Sequence, residues 1–202
     1  MAALTGTRTR TRRGSIGQMP LTVPMPVIGV VRTSHTDTES TPIQASLSPA
    51  ERGTLEIAAP YRDGLDGLPG FDYAWLLTWL DRPGGAPAET EAAQTEAAET
   101  EAAGVPPLRQ VPFLLRRQRR QVGIFATRGP RRVNPIGLSL IRVLSVTDGS
   151  VAFAGVDLLD GTPVIDLKPY VTRFDRPPGE PRCGWFDGLA IADGTTPGQL
   201  GP

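Results

Sequence analysis

The chain has 202 residues, and its 21 basic residues balance its 21 acidic residues. This length suits one domain of ordinary size with flanking tails, and the neutral total gives no global field that would draw the protein to nucleic acid or to a membrane. A single cysteine, Cys183, and a single histidine, His35, exclude an internal disulfide framework and a site of several cysteine or histidine ligands. We therefore expect no metal.

The ends and the middle of the chain differ in composition from the rest. Residues 1–25 are rich in Thr, Arg, Gly and Pro and predict a disordered basic tail, which an ordinary solvated terminus explains better than attraction to RNA. The Arg-rich start lacks the apolar stretch of a signal peptide, and no apolar run approaches the ~20 residues that cross a bilayer. We expect a cytoplasmic protein that does not enter a membrane.

Between these ends the sequence predicts a domain at 26–175 made of short strands. Apolar and β-branched runs bounded by Pro, Gly and polar residues place the strands at 27–32, 54–57, 71–80, 122–127, 138–147, 151–158 and 163–167. Asp148-Gly149 predicts a hairpin turn, and a long amphipathic helix is missing. The predicted fold is all-β, a small closed or partly closed barrel, because many short strands must protect their edges.

Two segments depart from the strand pattern. Residues 83–107 form a low-complexity run of Ala, Glu, Thr, Pro and Gly, which predicts a mobile acidic insert. Residues 176–202 are rich in Pro and Gly and predict a C-terminal tail. Within the predicted strand at 71–80, Phe71, Trp75 and Trp79 are expected to lie in the core rather than to form a stacking platform.

Three arginines, Arg128, Arg131 and Arg132, occupy a turn between two predicted strands. Guanidinium groups bind carboxylate or phosphate through paired hydrogen bonds and stack on bases. Asn134-Pro135 stiffens the turn, and a rigid turn favours a binding site. From the residues alone, a binding site and an ordinary solvated turn are about equally supported.

A second polar segment surrounds Asp160-Gly161-Thr162-Pro163, which predicts a tight turn with Gly161 free to take positive φ. Such a turn suits recognition of a polar small molecule, although ordinary β-turns have the same composition. The nearby carboxylates have no spacing that would indicate magnesium. Strand alternation puts Asp166 and Lys168 on one face, where an ion pair and contact with RNA are equally supported.

Together, two of these runs resemble the signatures of the TsaA-like family of S-adenosylmethionine-dependent tRNA methyltransferases. Phe125-Ala126-Thr127-Arg128 and Asp160-Gly161-Thr162-Pro163 are the specific blocks, and Ile28-Gly29-Val30-Val31, Pro42-Ile43-Gln44 and Gly70-Phe71 are weaker ones. The resemblance covers roughly residues 26–175. It implies a small β-barrel methyltransferase without the Rossmann fold, and the sequence indeed has no Gly-x-Gly-x-x-Gly.

The resemblance also implies the site residues. S-adenosylmethionine would be held by Pro42, Ile43, Gln44, Asp81, Arg82, Arg128, Leu138, Asp160, Gly161, Thr162 and Pro163. Because the sulfonium is already a strong electrophile, the protein must mainly align the reacting atoms, and the catalytic carboxylate that assists would be Asp157 or Asp160. The residues expected to contact tRNA are Arg131, Arg132 and Lys168. The family further implies a homodimer.

The implied reaction is N6-methylation of N6-threonylcarbamoyladenosine at tRNA position 37. Val133 replaces a family proline, Asp81-Arg82 replaces a histidine-containing pair, and the C-terminal extension of longer members has no counterpart in this sequence. These departures leave two alternatives, a methyltransferase that acts on a small molecule or peptide and a non-catalytic barrel that binds RNA or a nucleotide.

Overall fold

The structure is a computed structural model that describes residues 23–80 and 107–200. Most of the predicted tail and of the predicted acidic insert lies outside the described residues, and so do Asp81 and Arg82. Among the residues that are described, no helix is long and apolar enough to cross a membrane. The same residues contain no cluster of three or more His, Cys, Asp or Glu side chains that could hold a metal ion.

Six antiparallel strands of the described chain close a barrel in the order β1-β2-β7-β6-β3-β8, which confirms the predicted fold. The strands of the barrel are β1 (Gly29–Arg32), β2 (Arg52–Ile57), β3 (Tyr73–Trp79), β6 (Ile136–Thr147), β7 (Ser150–Ala154) and β8 (Pro163–Pro169). A separate two-stranded sheet pairs β4 (Arg109–Gln110) with β5 (Val122–Gly123). Closure leaves the barrel strands without an unpaired edge.

Short helices fill the connections. The α-helix α1 is one turn, Thr172–Asp175. The 3₁₀ helices are Ala45–Leu47, Ala59–Leu65, Leu68–Gly70, Phe113–Gln118, Ile124–Ala126, Gly184–Phe186 and Pro197–Leu200. Runs this short are usual for 3₁₀ geometry, because its hydrogen bonds are poorer than those of the α-helix.

The core lies inside the barrel. Every barrel strand contributes at least one side chain with 0% exposure: Val31, Leu55, Leu76, Ile141, Phe153 and Val164. Phe153 is the largest of these, and its ring occupies space left by a glycine on the neighbouring strand. A Cβ on Gly53 would lie only 2.6 Å from Cζ of Phe153.

The prediction that Phe71, Trp75 and Trp79 lie in the core was wrong, because Phe71 is exposed and both tryptophans are partly exposed. Along this strand the buried positions are Ala74, Leu76 and Thr78, while Trp75 and Trp79 alternate with them and remain partly exposed. Alternation along a strand gives the barrel interior one face only, and on β3 that face carries Ala74, Leu76 and Thr78 rather than the two indoles. The outward apolar face is a surface that the predicted homodimer could use, and the homodimer remains a prediction.

Four predicted strands are shorter than expected, two of them by only two or three residues and the other two by about half or more. The run 122–127 is a strand only at Val122–Gly123, since the amide and hydroxyl of Thr127 both donate to the carbonyl of Ile124 and close a 3₁₀ turn. The run 151–158 ends as a strand at Ala154, because Gly155 has a φ of +85°. The hairpin predicted between β6 and β7 is present, with Gly149 at a φ of +72°.

Part of the segment predicted as a C-terminal tail packs against the barrel domain. The carbonyl of Thr195 accepts from the amide of Ile43 at 3.0 Å, and the amide of Gly198 donates to Glu39 O at 3.0 Å. Nη1 of Arg116 donates to the carbonyl of Pro197 at 3.3 Å. We name residues 194–198 the C-terminal strap. It binds the segment that precedes β2 to the helix at Phe113–Gln118.

Candidate functional site

A cavity of about 630 Å³ opens at the end of the barrel where β6 begins. This volume lies within the range of small-molecule sites, which are mostly apolar with a few polar groups. Its walls come from segments far apart in the sequence. These are residues 38–44, Leu77, Leu80, Phe113, residues 125–139, residues 157–162 and Pro197 of the C-terminal strap. The predicted site residues that line it are Pro42, Ile43, Gln44, Arg128, Arg132, Leu138, Asp157 and Thr162.

Asp157 supplies a carboxylate to this cavity. It follows β7, where Gly155 turns the chain out of the sheet. Oδ1 of Asp157 accepts from the Ser139 hydroxyl at 2.6 Å, and Oδ2 accepts from the Ala45 amide at 2.9 Å. Burial raises the pKa of Asp157, and the two hydrogen bonds and the charge of Arg128 oppose that rise. A carboxylate fixed in this way can accept a hydrogen bond or a proton from a bound ligand.

The arginine turn brings two guanidinium groups to the same cavity. Nη2 of Arg128 donates to the carbonyl of Leu138 at 3.1 Å, across the mouth between the turn and β6. Nη1 of Arg132 donates to the carbonyl of Thr127 at 3.0 Å, which braces the turn from within. Arg131 lies on the same turn, but it is not among the described residues that line the cavity.

The Asp-Gly-Thr-Pro turn has the geometry predicted for it, with Gly161 at a φ of +76°. Only Thr162 of its four residues is in the cavity wall. Asp160 instead faces β1, where its Oδ1 accepts from the Thr33 amide at 3.2 Å and its Oδ2 lies 3.8 Å from Nη1 of Arg32. The structure thus brings Asp157, but not Asp160, to the cavity.

Lys168 and His35 also lie away from the cavity wall. Lys168 pairs with Asp166, with 2.7 Å between Nζ and Oδ2, so the ion pair, one of the two alternatives left open by the sequence, is present. His35 lies in the loop that follows β1. Its Nε2 contacts Oε2 of Glu51, and its carbonyl accepts from the amide of Asp160 at 2.8 Å. The second contact holds the first residue of the Asp-Gly-Thr-Pro turn.

Among the lining residues that sequence reasoning missed, three matter most for the chemistry of the site. Ser139 immediately follows Leu138 in the motif region, and its inward alternation on β6 was the available signal. Phe125 was noted within its motif without a role, although it lines the cavity and is 82% exposed. Pro197 lies in a Pro- and Gly-rich segment whose sequence carries no signal for packing against residues near position 40.

Comparison with known proteins identifies the family of this chain. Residues 30–176 match the family model described as the tRNA-methyltransferase O N-terminal domain. The chain belongs to this family. The matched residues include all six strands of the barrel except Gly29, together with the arginine turn and the Asp-Gly-Thr-Pro turn.

Relatives in the tRNA-methyltransferase O family carry names that concern the cofactor and tRNA. The chain is 32% identical over 160 residues to a "Probable S-adenosyl-L-methionine-binding protein" of Archaeoglobus fulgidus, covering 79% of this chain and 37% of that protein. It is 28% identical over 154 residues to the human "tRNA (adenine(37)-N6)-methyltransferase", covering 74% of this chain and 30% of the human protein. The chain therefore spans about a third of the length of these two relatives.

A solved structure has the same fold as this chain. The crystal structure of TrmO from Pseudomonas aeruginosa superposes with a TM-score of 0.59 at 30% sequence identity. The superposition covers 82% of this chain and 63% of the crystallised chain.

Proposed function

We propose that this chain binds S-adenosylmethionine in the cavity and transfers its methyl group to N6 of the adenosine at tRNA position 37. The observation that carries the proposal is the convergence of the family motifs on one cavity. Pro42-Ile43-Gln44, Arg128, Leu138 and Thr162 are dispersed along the chain, yet all line the same space beside Asp157. The names of the relatives supply the cofactor and the substrate class.

The chemistry of the cavity fits the cofactor. A guanidinium at the mouth, Arg128, can bind the carboxylate of the methionyl part. Apolar groups such as Ile43 and Leu138 can cover the adenine, and backbone groups of the Pro42–Gln44 segment offer hydrogen bonds to its edge. The cofactor, when bound, supplies a methyl group on a positively charged sulfur.

In the proposed reaction the protein aligns the acceptor nitrogen with this methyl group and excludes water. Asp157 is the proposed proton acceptor. Its carboxylate is held by Ser139 and Ala45 at the cavity wall, and its raised pKa makes it a better base than an ordinary exposed aspartate. Arg131 and Arg132 remain the proposed contacts to tRNA phosphates, with Lys168 behind them.

Methyl transfer is tested directly with labelled cofactor and two forms of tRNA. We expect label on tRNA that carries the threonylcarbamoyl group at adenosine 37 and none on tRNA that lacks it. Digestion to nucleosides followed by mass spectrometry locates the methyl group. Label on unmodified tRNA alone would show that the threonylcarbamoyl group is not required in the substrate. Label on neither form would contradict tRNA as the substrate and favour the small-molecule alternative.

Arg128→Ala is expected to weaken cofactor binding by about 1.5–3 kcal/mol, because a charge-assisted hydrogen bond to the cofactor carboxylate would be lost. Calorimetry with S-adenosylmethionine and with its demethylated product measures the change. Arg131→Ala is the matched control, since Arg131 belongs to the same turn but not to the cavity wall. Equal affinities of wild type and Arg128→Ala would take Arg128 out of the cofactor site.

A further inference from the structure

Phe125 is an exposed aromatic ring at the mouth of the cavity. It is 82% exposed although it also lines the cavity. Other rings nearby are already engaged: Cζ of Arg116 lies 4.6 Å from the ring centroid of Phe113, and Trp185 stacks on Phe186 with 3.7 Å between centroids. Within 23–80 and 107–200, Phe125 has no comparable ring contact, so its face is presented to solvent and to whatever enters the cavity.

The backbone that carries this ring is firmly held. Phe125 is the central residue of the 3₁₀ turn Ile124–Ala126, whose first residue is 1% exposed. The Thr127 hydroxyl donates to the carbonyl of Ile124 at 2.9 Å and accepts from Nε2 of Gln110 at 2.7 Å. On the other side, Nε1 of Trp185 donates to the carbonyl of Ala126 at 2.7 Å. The exposed ring therefore sits on a rigid support.

The groups around Phe125 indicate the kind of ligand. Arg128 and Arg132 follow it on the arginine turn and line the same cavity. Aromatic faces flanked by arginines are the means by which proteins bind unpaired RNA bases, through stacking and through contacts with phosphates. An enzyme that modifies a base must also take that base out of its stack.

We propose that Phe125 is the stacking platform for the purine that leaves an RNA loop and enters the cavity, and that Trp185 fixes the platform through Ala126. This inference rests on the proposed function and specifies how the substrate base is bound. The adenine of the cofactor is the less suitable occupant. A ring with 82% exposure encloses little of a ligand, whereas Pro42 and Ile43, which line the same cavity, are buried and half-buried and suit the cofactor better.

The test compares Phe125→Ala with Phe125→Tyr in the full chain. Loss of one base stack weakens RNA binding by about tenfold or more. We expect Phe125→Ala to raise KM for tRNA by that factor with unchanged calorimetric affinity for S-adenosylmethionine, and Phe125→Tyr to restore wild-type KM. Phe174→Ala is the matched control, because Phe174 is 80% exposed but is not a cavity-lining residue.

A second readout requires no methyl transfer. An anticodon-loop hairpin with 2-aminopurine at the target position is titrated with each variant, since stacking on a ring quenches this fluorophore. Quenching by wild type and Phe125→Tyr but not by Phe125→Ala supports the platform, even if tRNA receives no methyl group and the proposed function fails. Quenching that is independent of Phe125, unchanged KM in Phe125→Ala, or a parallel loss of cofactor affinity would overturn it.

Discussion

Phe153→Ala is expected to lower the free energy of unfolding by about 3–5 kcal/mol, the usual cost of truncating a buried phenylalanine. Phe153 is fully buried on β7, and its ring fills the space above Gly53, its pairing partner on the neighbouring strand β2. The cavity left behind lies between strands that are paired on both sides, so little collapse is possible. Urea denaturation followed by tryptophan fluorescence and by circular dichroism measures the loss.

Phe174→Ala provides the comparison for this variant. The Phe174 ring is 80% exposed on α1, and its removal should change the free energy of unfolding by no more than about 0.5 kcal/mol. If Phe153→Ala lowered the free energy of unfolding by less than about 1 kcal/mol, the packing described for the barrel interior would be contradicted. Removal of a ring from a well-packed core costs more than that.

Replacing Asp157 is expected to have the largest effect on activity. Asp157→Asn should lower kcat by about 10²-fold, at the lower end of the range for loss of a general base. The amide can still pair with the Ser139 hydroxyl and the Ala45 amide, so the fold should be retained. Asp157→Ala leaves both partners without an acceptor and should in addition cost about 1–3 kcal/mol of stability. Single-turnover methyl transfer and urea denaturation separate the two effects.

Comparison of the wild type with Asp157→Asn also tests the pKa of the buried Asp157 carboxyl. Because the folded state raises the pKa of Asp157 above its ordinary value of 3.8, the folded chain takes up this proton more readily than the unfolded chain. Protonation of Asp157 therefore contributes to the free energy of unfolding. This contribution is complete below the ordinary pKa and is lost as the pH rises through the raised pKa of the folded state. The stability of wild type relative to Asp157→Asn should therefore be greater at pH 4 than at pH 7. The opposite trend would show that Asp157 is not desolvated in the folded state.

The strands and the closed barrel were accessible from sequence because β-branched runs and Gly turns act locally. The burial of Trp75 and Trp79 was predicted wrongly, because almost every residue in this run is apolar. In such a run the alternation of polar and apolar residues cannot show which face of the strand is inside. The space inside the barrel decides which face of β3 points inward. At Gly137, which pairs with Thr78, a Cβ would lie only 2.2 Å from the buried Thr78 hydroxyl oxygen, so the inner face has room only for small groups at this level.

The site was predictable as a set of motifs but not as an arrangement. Asp157 and Asp160 are three residues apart and chemically identical, and only the turn at Gly155 and the contact with Ala45 direct the first to the cavity while Thr33 and Arg32 draw the second away. Sequence also gave no sign that Pro197 would complete the wall, because that contact depends on the path of the whole chain.

The C-terminal strap has a consequence for how binding competence arises during synthesis. Ile43 and Thr195 are near opposite ends of the described chain, yet their backbone hydrogen bond joins the proposed cofactor segment to the strap. A nascent chain can complete all barrel strands while the strap is still inside the ribosome. The pocket wall would then still lack Pro197, so the ability to retain the cofactor should arise later than the barrel itself.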